Sequence, residues 1–335
     1  MFVFAGQPAP GSQCMIMPAA RILNFSEIPV IDIGPLVHGE SQREVRTVDA
    51  IARACQDVGF MYVRNHDVPS SVLNHLVEQL KFFFALPTDE KQSVAVENSP
   101  QFRGYLPLEY TGNEGEKGKN LQEGFMIMHE RPLDSFPMHG PNQWPSALPS
   151  LRPAMWHYFA AMENLATPLM HGIAMALGQE RDFFDNFHRD PMSVLKLNHY
   201  PPQEVMDETE IIGVGGHCDG GSFTILWQDS LGGLEVRNKS GDWVGVPPID
   251  GTFVINIANL LQRWTNGRFS STEHRVINRY GKDRYSVAFF VYPAHTTVIR
   301  PVVDQSRGEF EPVICGEDML TYFCRVYPQR TGASA

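Results

Sequence analysis

From about residue 190 the chain breaks into short runs in which apolar and polar residues alternate, separated by turn signals: "SVLKLNHY", "SFTILWQ", "GGLEVRN", "TFVINIAN", "HRVINR" and "RYSVAFFVYP". A period of two sends successive side chains to opposite faces, so each run reads as a half-buried strand. Several such strands at this spacing are the pattern of a sandwich or jelly roll. The preceding half reads differently. After a β-like "IPVIDIGPL" from Ile28, "SQREVRTVDAIARACQDVGF" places Val45, Val48, Ile51 and Cys55 at helical spacing and stops at Gly59. "FMYVRNH" returns to a strand, and "SSVLNHLVEQLKFFFALP" is a second amphipathic helix ended by Pro87. A third helix is expected from roughly Pro153 to Gly178, kinked at Pro168. Residues 88–150 are rich in Gly, Pro and charge, with "EYTGNEGEKGKN" the expected mobile loop. Helices followed by strands argue for an α+β chain with its β core on the C-terminal side. No Pro/Gly/Ser-rich linker divides residues 180–200, so the expected division is a flexible leader (1–27), an N-terminal helical and mixed region (28–150) and a helix plus β core (151–330).

Charge narrows the partners. Lys+Arg number 27 against 38 Asp+Glu, and no basic cluster occurs, so the footprint of a nucleic-acid or anionic-membrane binder is missing. A small-molecule partner is expected, and nothing implies a protein partner. The N-terminal "MFVFAGQPAPGSQCMIMPAA" lacks a basic n-region and is interrupted by Gly6, Pro8, Pro10 and Gly11, and no apolar run approaches the ~18 residues of a membrane span. Five cysteines without a C-x-x-C fit a reduced compartment. A cytoplasmic protein is the expectation.

Chemistry concentrates around "GGHCDGGSFTILWQD", where His217 and Asp219 stand two apart among glycines. Alone, a His-x-Asp is more often a surface turn than a metal site. A third candidate, His274 in "STEHRVINR", begins a later strand 57 residues on. Two histidines and one carboxylate on adjoining strands can converge on one face of a metal ion and leave three positions open, as non-haem Fe(II) oxygenation requires. In "DRYSVAFFVYP", period two places Arg284, Ser286, Ala288, Phe290 and Tyr292 on one face. An Arg and a Ser two apart, facing a metal cavity, make a carboxylate clamp. The same period groups Lys196, Asn198 and Tyr200, with Tyr200 a further donor, and puts His199 on the Leu195/Leu197 side, where it is a poor ligand.

These residues carry a resemblance. "IPVIDI", "ACQDVGFMYVRNHDV", "FFALPTDEK", "LKLNHYPP", "HCDGGSFTILWQD", "GGLEV", "INIANLLQRWTNGRFSSTEHRVINR" and "RYSVAFFVYP", in that order over residues 28 to 300, resemble the isopenicillin N synthase-like branch of the iron(II)/2-oxoglutarate-dependent dioxygenases. The resemblance implies a double-stranded β-helix (jelly-roll) core with surrounding helices. It implies Fe(II) held by His217, Asp219 and His274, and 2-oxoglutarate as co-substrate gripped by Arg284 and Ser286 with help from Tyr200 and, beside it, Asn198. Decarboxylation of 2-oxoglutarate with dioxygen would then drive hydroxylation, desaturation or cyclisation of a small molecule. Lys196, Phe223, Phe290 and Tyr292 are expected to wall the substrate pocket, which would suit an acid with an apolar body. Met126, Phe125, Arg103 and Tyr105 are each as good core residues as contacts. Asn256 is expected to fix the ligand strands, and Asn266-Gly267 to form a tight hairpin before the third ligand. Two alternatives stay open: an isopenicillin N synthase-like oxidase that needs no 2-oxoglutarate, and a non-catalytic metal-binding jelly roll.

Overall fold

The computed structural model describes residues 27–108, 120–134, 136–202, 213–303 and 310–327. The leader, nearly all of the expected mobile loop and the chain end lie outside the described residues. The N-terminal half holds β1 (Val30–Asp32), α1 (Gly34–His38), α2 (Ser41–Asp57), β2 (Phe60–Arg64), α3 (Ser70–Phe84), α4 (Thr88–Gln92), β3 (Gly104–Leu106) and β4 (Glu123–Met128). The long α5 (Leu151–Ala176) runs unbroken through Pro168. There follow β5 (Val194–Tyr200), β6 (Val214–His217), β7 (Phe223–Gln228), β8 (Leu234–Arg237), β9 (Trp243–Gly245), β10 (Phe253–Ile257), α6 (Asn259–Trp264), β11 (His274–Val276) and β12 (Arg284–Val291). A small hairpin-like pair, β13 (Val298–Ile299) and β14 (Val313–Ile314), precedes α7 (Cys315–Val326).

Two sheets face each other in a jelly roll. The larger has the order β1-β2-β10-β7-β12-β5-β4-β3 and the smaller β6-β11-β8-β9. The two are antiparallel throughout, except where β1 runs parallel to β2. Strands from before residue 150 thus flank the β core on both sides in one continuous sheet. β4 was not legible as a strand, because "EGFMIM" is buried on both faces and shows no alternation.

Alternation divides the larger sheet. Its outer face carries Leu195, Leu197, Phe223, Ile225, Phe253, Ile255, Val287 and Phe289, all buried in the main core. Helix α5 packs there, with Phe159 edge-on to Phe289 at 5.0 Å, and α2 lies against α5 through Ile51, whose side chain leaves no room for a Cβ on Gly172. Each such large apolar side chain contributes ~1.5–3 kcal/mol on burial. Val45 is exposed, outside the stripe that α2 buries. The inner face is apolar at one end, where Phe60, Tyr62, Val236, Val254 and Val276 close the space between the sheets. Its other end is polar and stays open as a cavity. Among the described residues no helix is long and apolar enough to cross a membrane.

Gly59, the expected helix stop, has φ +75°, and a Cβ there would lie 2.3 Å from the carbonyl oxygen of Ser270. Both the conformation and the close approach of two backbones require glycine. Gly59→Ala is expected to destabilise the protein by at least about 2 kcal/mol in urea unfolding; a loss within error of zero would show that the α2–β2 junction yields.

Candidate active site

Antiparallel pairing of β6 with β11 sets His217 directly opposite His274, with ring centroids 4.3 Å apart. Asp219 lies two residues past the end of β6, and its backbone carbonyl accepts a hydrogen bond from Asn259 N at the start of α6 (2.9 Å). The glycines after it are there for room. A Cβ on Gly220 would stand 2.6 Å from Tyr292 Oη, and one on Gly221 2.6 Å from Val291 O. The loop therefore lies flat on the end of β12 and turns the carboxylate inward.

The trio is aimed by its hydrogen bonds. His217 Nδ1 lies 2.9 Å from Gly215 O and His274 Nδ1 3.2 Å from Thr272 O. A carbonyl only accepts, so each Nδ1 carries the hydrogen and each Nε2 presents a lone pair. Those Nε2 atoms are 3.7 and 3.8 Å from Asp219 Oδ1. The other carboxylate oxygen, Oδ2, accepts from Thr224 Oγ1 (2.5 Å) and Asn256 Nδ2 (2.8 Å). One ligand atom from each residue lies within 4.8 Å of the others, and this is the one such group among the described residues. Burial, with His217 facing it, pushes the His274 pKa down to about 4 and keeps the imidazole neutral, although Asp219 opposes the shift. Burial works to raise the Asp219 carboxyl, but the two imidazoles and the hydrogen bonds from Thr224 and Asn256 bring it below its ordinary value. Two imidazoles and one carboxylate make a donor set that suits Fe(II).

The trio opens onto a cavity of about 130 Å³. Across it, β12 pairs with β5 so that Arg284 faces Tyr200, Ser286 faces Asn198 and Ala288 faces Lys196, all on the inner face. Arg284 is buried and lies over the Tyr200 ring, 4.5 Å from its centroid. Its Nε donates to Gly232 O and its Nη2 to Gln228 Oε1 (3.4 Å), while Nη1 is buried with no partner. No carboxylate contacts this guanidinium among the described residues.

Gln122, immediately before β4, links the inner-face polar groups. Its Nε2 donates to Asn198 Oδ1 (2.6 Å) and Tyr200 Oη (3.0 Å), and its Oε1 accepts from Lys196 Nζ (3.4 Å). Asn198 Nδ2 donates in turn to Ser286 Oγ (3.3 Å). Sequence reasoning missed Gln122 because the region before β4 reads as loop. It also missed Tyr322, Phe323 and Val326 of α7, which cover the cavity; the amphipathic "EDMLTYFCRV" was the available signal.

Phe290, Tyr292 and Met126 line the cavity. Phe223 does not. It begins β7 in the phase that points outward, so it is buried in the helix-facing core, and Thr224 and Leu226 take the inner face instead. Phe125 is likewise core; Arg103 is buried against Met138 O (2.7 Å) and Asn142 Oδ1 (3.3 Å), and Tyr105 bonds Glu123 (2.5 Å). Asn266 and Gly267, both at positive φ, form the turn that ends α6, not a hairpin.

Two family models match the chain: the N-terminal region of non-haem dioxygenase in morphine synthesis over residues 28–147, and the 2OG-Fe(II) oxygenase superfamily over residues 191–293. A homoarginine-6-hydroxylase of Glycine max is 34% identical over 327 residues, covering 88% of this chain and 96% of that protein. A clavatol oxidase of Penicillium crustosum is 32% identical, covering 85% and 91%. A full-length Neurospora crassa protein crystallised with alpha-KG and thymine superposes with a TM-score of 0.79 at 28% identity, covering 90% of this chain and 97% of that one.

Because Asn256 and Thr224 leave only Oδ1 of Asp219 for a metal, Asn256→Ala is expected to lower affinity for Co(II) ~10–100-fold in an absorption titration. Unchanged affinity would mean that Thr224 alone orients the carboxylate.

Proposed function

This chain belongs to the 2OG-Fe(II) oxygenase superfamily, and on that premise we propose that His217, Asp219 and His274 hold its Fe(II), while Arg284 and Ser286, beside Tyr200 and Asn198, receive the distal carboxylate of 2-oxoglutarate. The enzyme couples oxidative decarboxylation of 2-oxoglutarate to oxidation of a small-molecule substrate. One observation supports the residue assignment above the rest: the buried, unpartnered Nη1 of Arg284 on the wall of the cavity that the metal trio also lines. A buried guanidinium without a counter-ion is costly, and a carboxylate offers the paired acceptor it lacks.

Fe(II) held by His217, Asp219 and His274 would supply the oxidising chemistry. The protein supplies placement. The Gly215 and Thr272 carbonyls hold the two imidazoles with Nε2 forward, Thr224 and Asn256 hold Asp219 with Oδ1 forward, and the β5–β12 register fixes the clamp on the facing wall. Tyr322, Phe323 and Val326 of α7 cover the cavity and limit water. The 2-oxoglutarate reading is favoured over a 2-oxoglutarate-independent oxidase by relatives named for that co-substrate, and a silent metal-binding module leaves the intact clamp without a use.

Relatives of similar identity are named for homoarginine and clavatol, so substrate does not carry over by likeness. The cavity itself favours an anion with an apolar body. Lys196 reaches into it, and burial pulls its pKa down to about 8, against the pull of Asp219. Its hydrogen-bond partner is the neutral Gln122. Met126, Phe290, Tyr322 and Phe323 provide the apolar wall, and no carboxylate besides Asp219 is among the described lining residues to meet a cation.

Two outcomes are expected. Arg284→Ala should raise the 2-oxoglutarate KM ~10–150-fold, as the loss of a charge-assisted pair implies, in assays of carbon dioxide release; an unchanged KM would transfer the clamp elsewhere. In a matched panel of carboxylic acids and their amides, acids should stimulate 2-oxoglutarate consumption more strongly, and Lys196→Met should remove that preference. Equal stimulation by acids and amides in the parent would refute the anionic substrate.

A further inference from the structure

Behind the cavity wall, on the opposite face of β4, β5 and β12, lies a second polar cluster with no part in the chemistry above. His199 stands on β5 between Asn198 and Tyr200, and period two turns it away from the cavity. Its Nδ1 lies 2.7 Å from Glu123 Oε1 and its Nε2 2.8 Å from Asp283 Oδ1. Glu123 Oε2 accepts from Lys91 Nζ (2.8 Å) and Tyr105 Oη (2.5 Å). The imidazole is stacked on Tyr285 at 4.9 Å and 16°.

Glu123, His199 and Asp283 are each one step along the chain from a polar residue of the cavity wall. Glu123 follows Gln122, His199 separates Asn198 from Tyr200, and Asp283 precedes Arg284. Glu123, His199 and Tyr285 are also direct cross-strand neighbours. His199 therefore ties together the three backbones from which the clamp's polar side chains project.

We infer that His199, held between Glu123 and Asp283, is a positioning residue that sets Arg284 and Tyr200 for the distal carboxylate of 2-oxoglutarate. This rests on the reading of Arg284 given above. Each ring nitrogen faces one carboxylate, so the imidazole bridges the start of β4 and the residue before β12. Asn278 braces the same junction, donating to Tyr200 O (3.2 Å) and Lys282 O (2.9 Å). Glu123 is buried, so replacing it or His199 strands a charge and risks the fold. Asp283 is half exposed, at 52% for its side chain, and its removal cuts only the tie between β5 and the start of β12.

The test is anaerobic titration of the Fe(II)-loaded protein with 2-oxoglutarate, followed by the weak visible band of the keto-acid complex, with Co(II) affinity and melting temperature measured alongside. Asp283→Ala is expected to weaken 2-oxoglutarate binding about three- to tenfold while Co(II) affinity stays at the parent value. Asp283→Asn, whose amide oxygen still accepts from Nε2, should recover most of the loss. The inference is overturned if Asp283→Ala binds 2-oxoglutarate like the parent, if Co(II) affinity falls in parallel, or if Asn recovers nothing. Arg284→Ala separates the two levels: if it too binds like the parent, the clamp assignment fails, whereas a weakened Arg284→Ala beside an unaffected Asp283→Ala sinks the positioning role alone.

Discussion

The site depends on an arginine that no carboxylate contacts among the described residues. Arg284 lies inside a wall of β-sheet, held by a carbonyl, an amide oxygen and the face of Tyr200, and among those residues its Nη1 has no hydrogen-bond partner. A protein interior tolerates such a charge when an anion completes it. The sequence places it next to a residue that faces the other way: Asp283 and Arg284 are neighbours, yet Asp283 bonds His199 behind the sheet and leaves the guanidinium to the cavity. Had the two paired, the clamp would be occupied by the protein's own carboxylate.

Strand alternation carries this separation through the whole larger sheet. Each of β5, β7, β10 and β12 gives large apolar side chains to the helices on one face and a polar side chain such as Asn198, Thr224, Asn256 or Arg284 to the cavity on the other. The smaller sheet contributes two histidines through a single cross-strand pair, and Asp219 comes from the loop that leaves it. Histidines on regular strands and a carboxylate held by Thr224 and Asn256 give the trio a fixed arrangement.

Alternation is also why so much was legible in the sequence. Period two separated Lys196, Asn198 and Tyr200 from Leu195, Leu197 and His199, and grouped Arg284, Ser286 and Phe290, as the register of β5 and β12 has them. It failed where the signal is absent or was misapplied. β4 is buried on both faces and has no alternation to read, so the strand and the Gln122 before it were lost in a region that looked like loop. Phe223, expected in the pocket wall, belongs to the core by the alternation of its own strand. The amphipathic pattern of α7 does not say where in the fold its apolar face packs, and the glycines after Asp219 answer to atoms of Val291 and Tyr292, visible only in three dimensions.

The most direct measurement is a crystal structure grown anaerobically with Mn(II) and 2-oxoglutarate, read by anomalous scattering. The account predicts a single metal peak bonded to His217 Nε2, His274 Nε2 and Asp219 Oδ1, with the distal carboxylate of 2-oxoglutarate on Arg284 Nη1 and Ser286 Oγ. A metal outside that trio, or a 2-oxoglutarate that leaves Arg284 Nη1 without a partner, would contradict it.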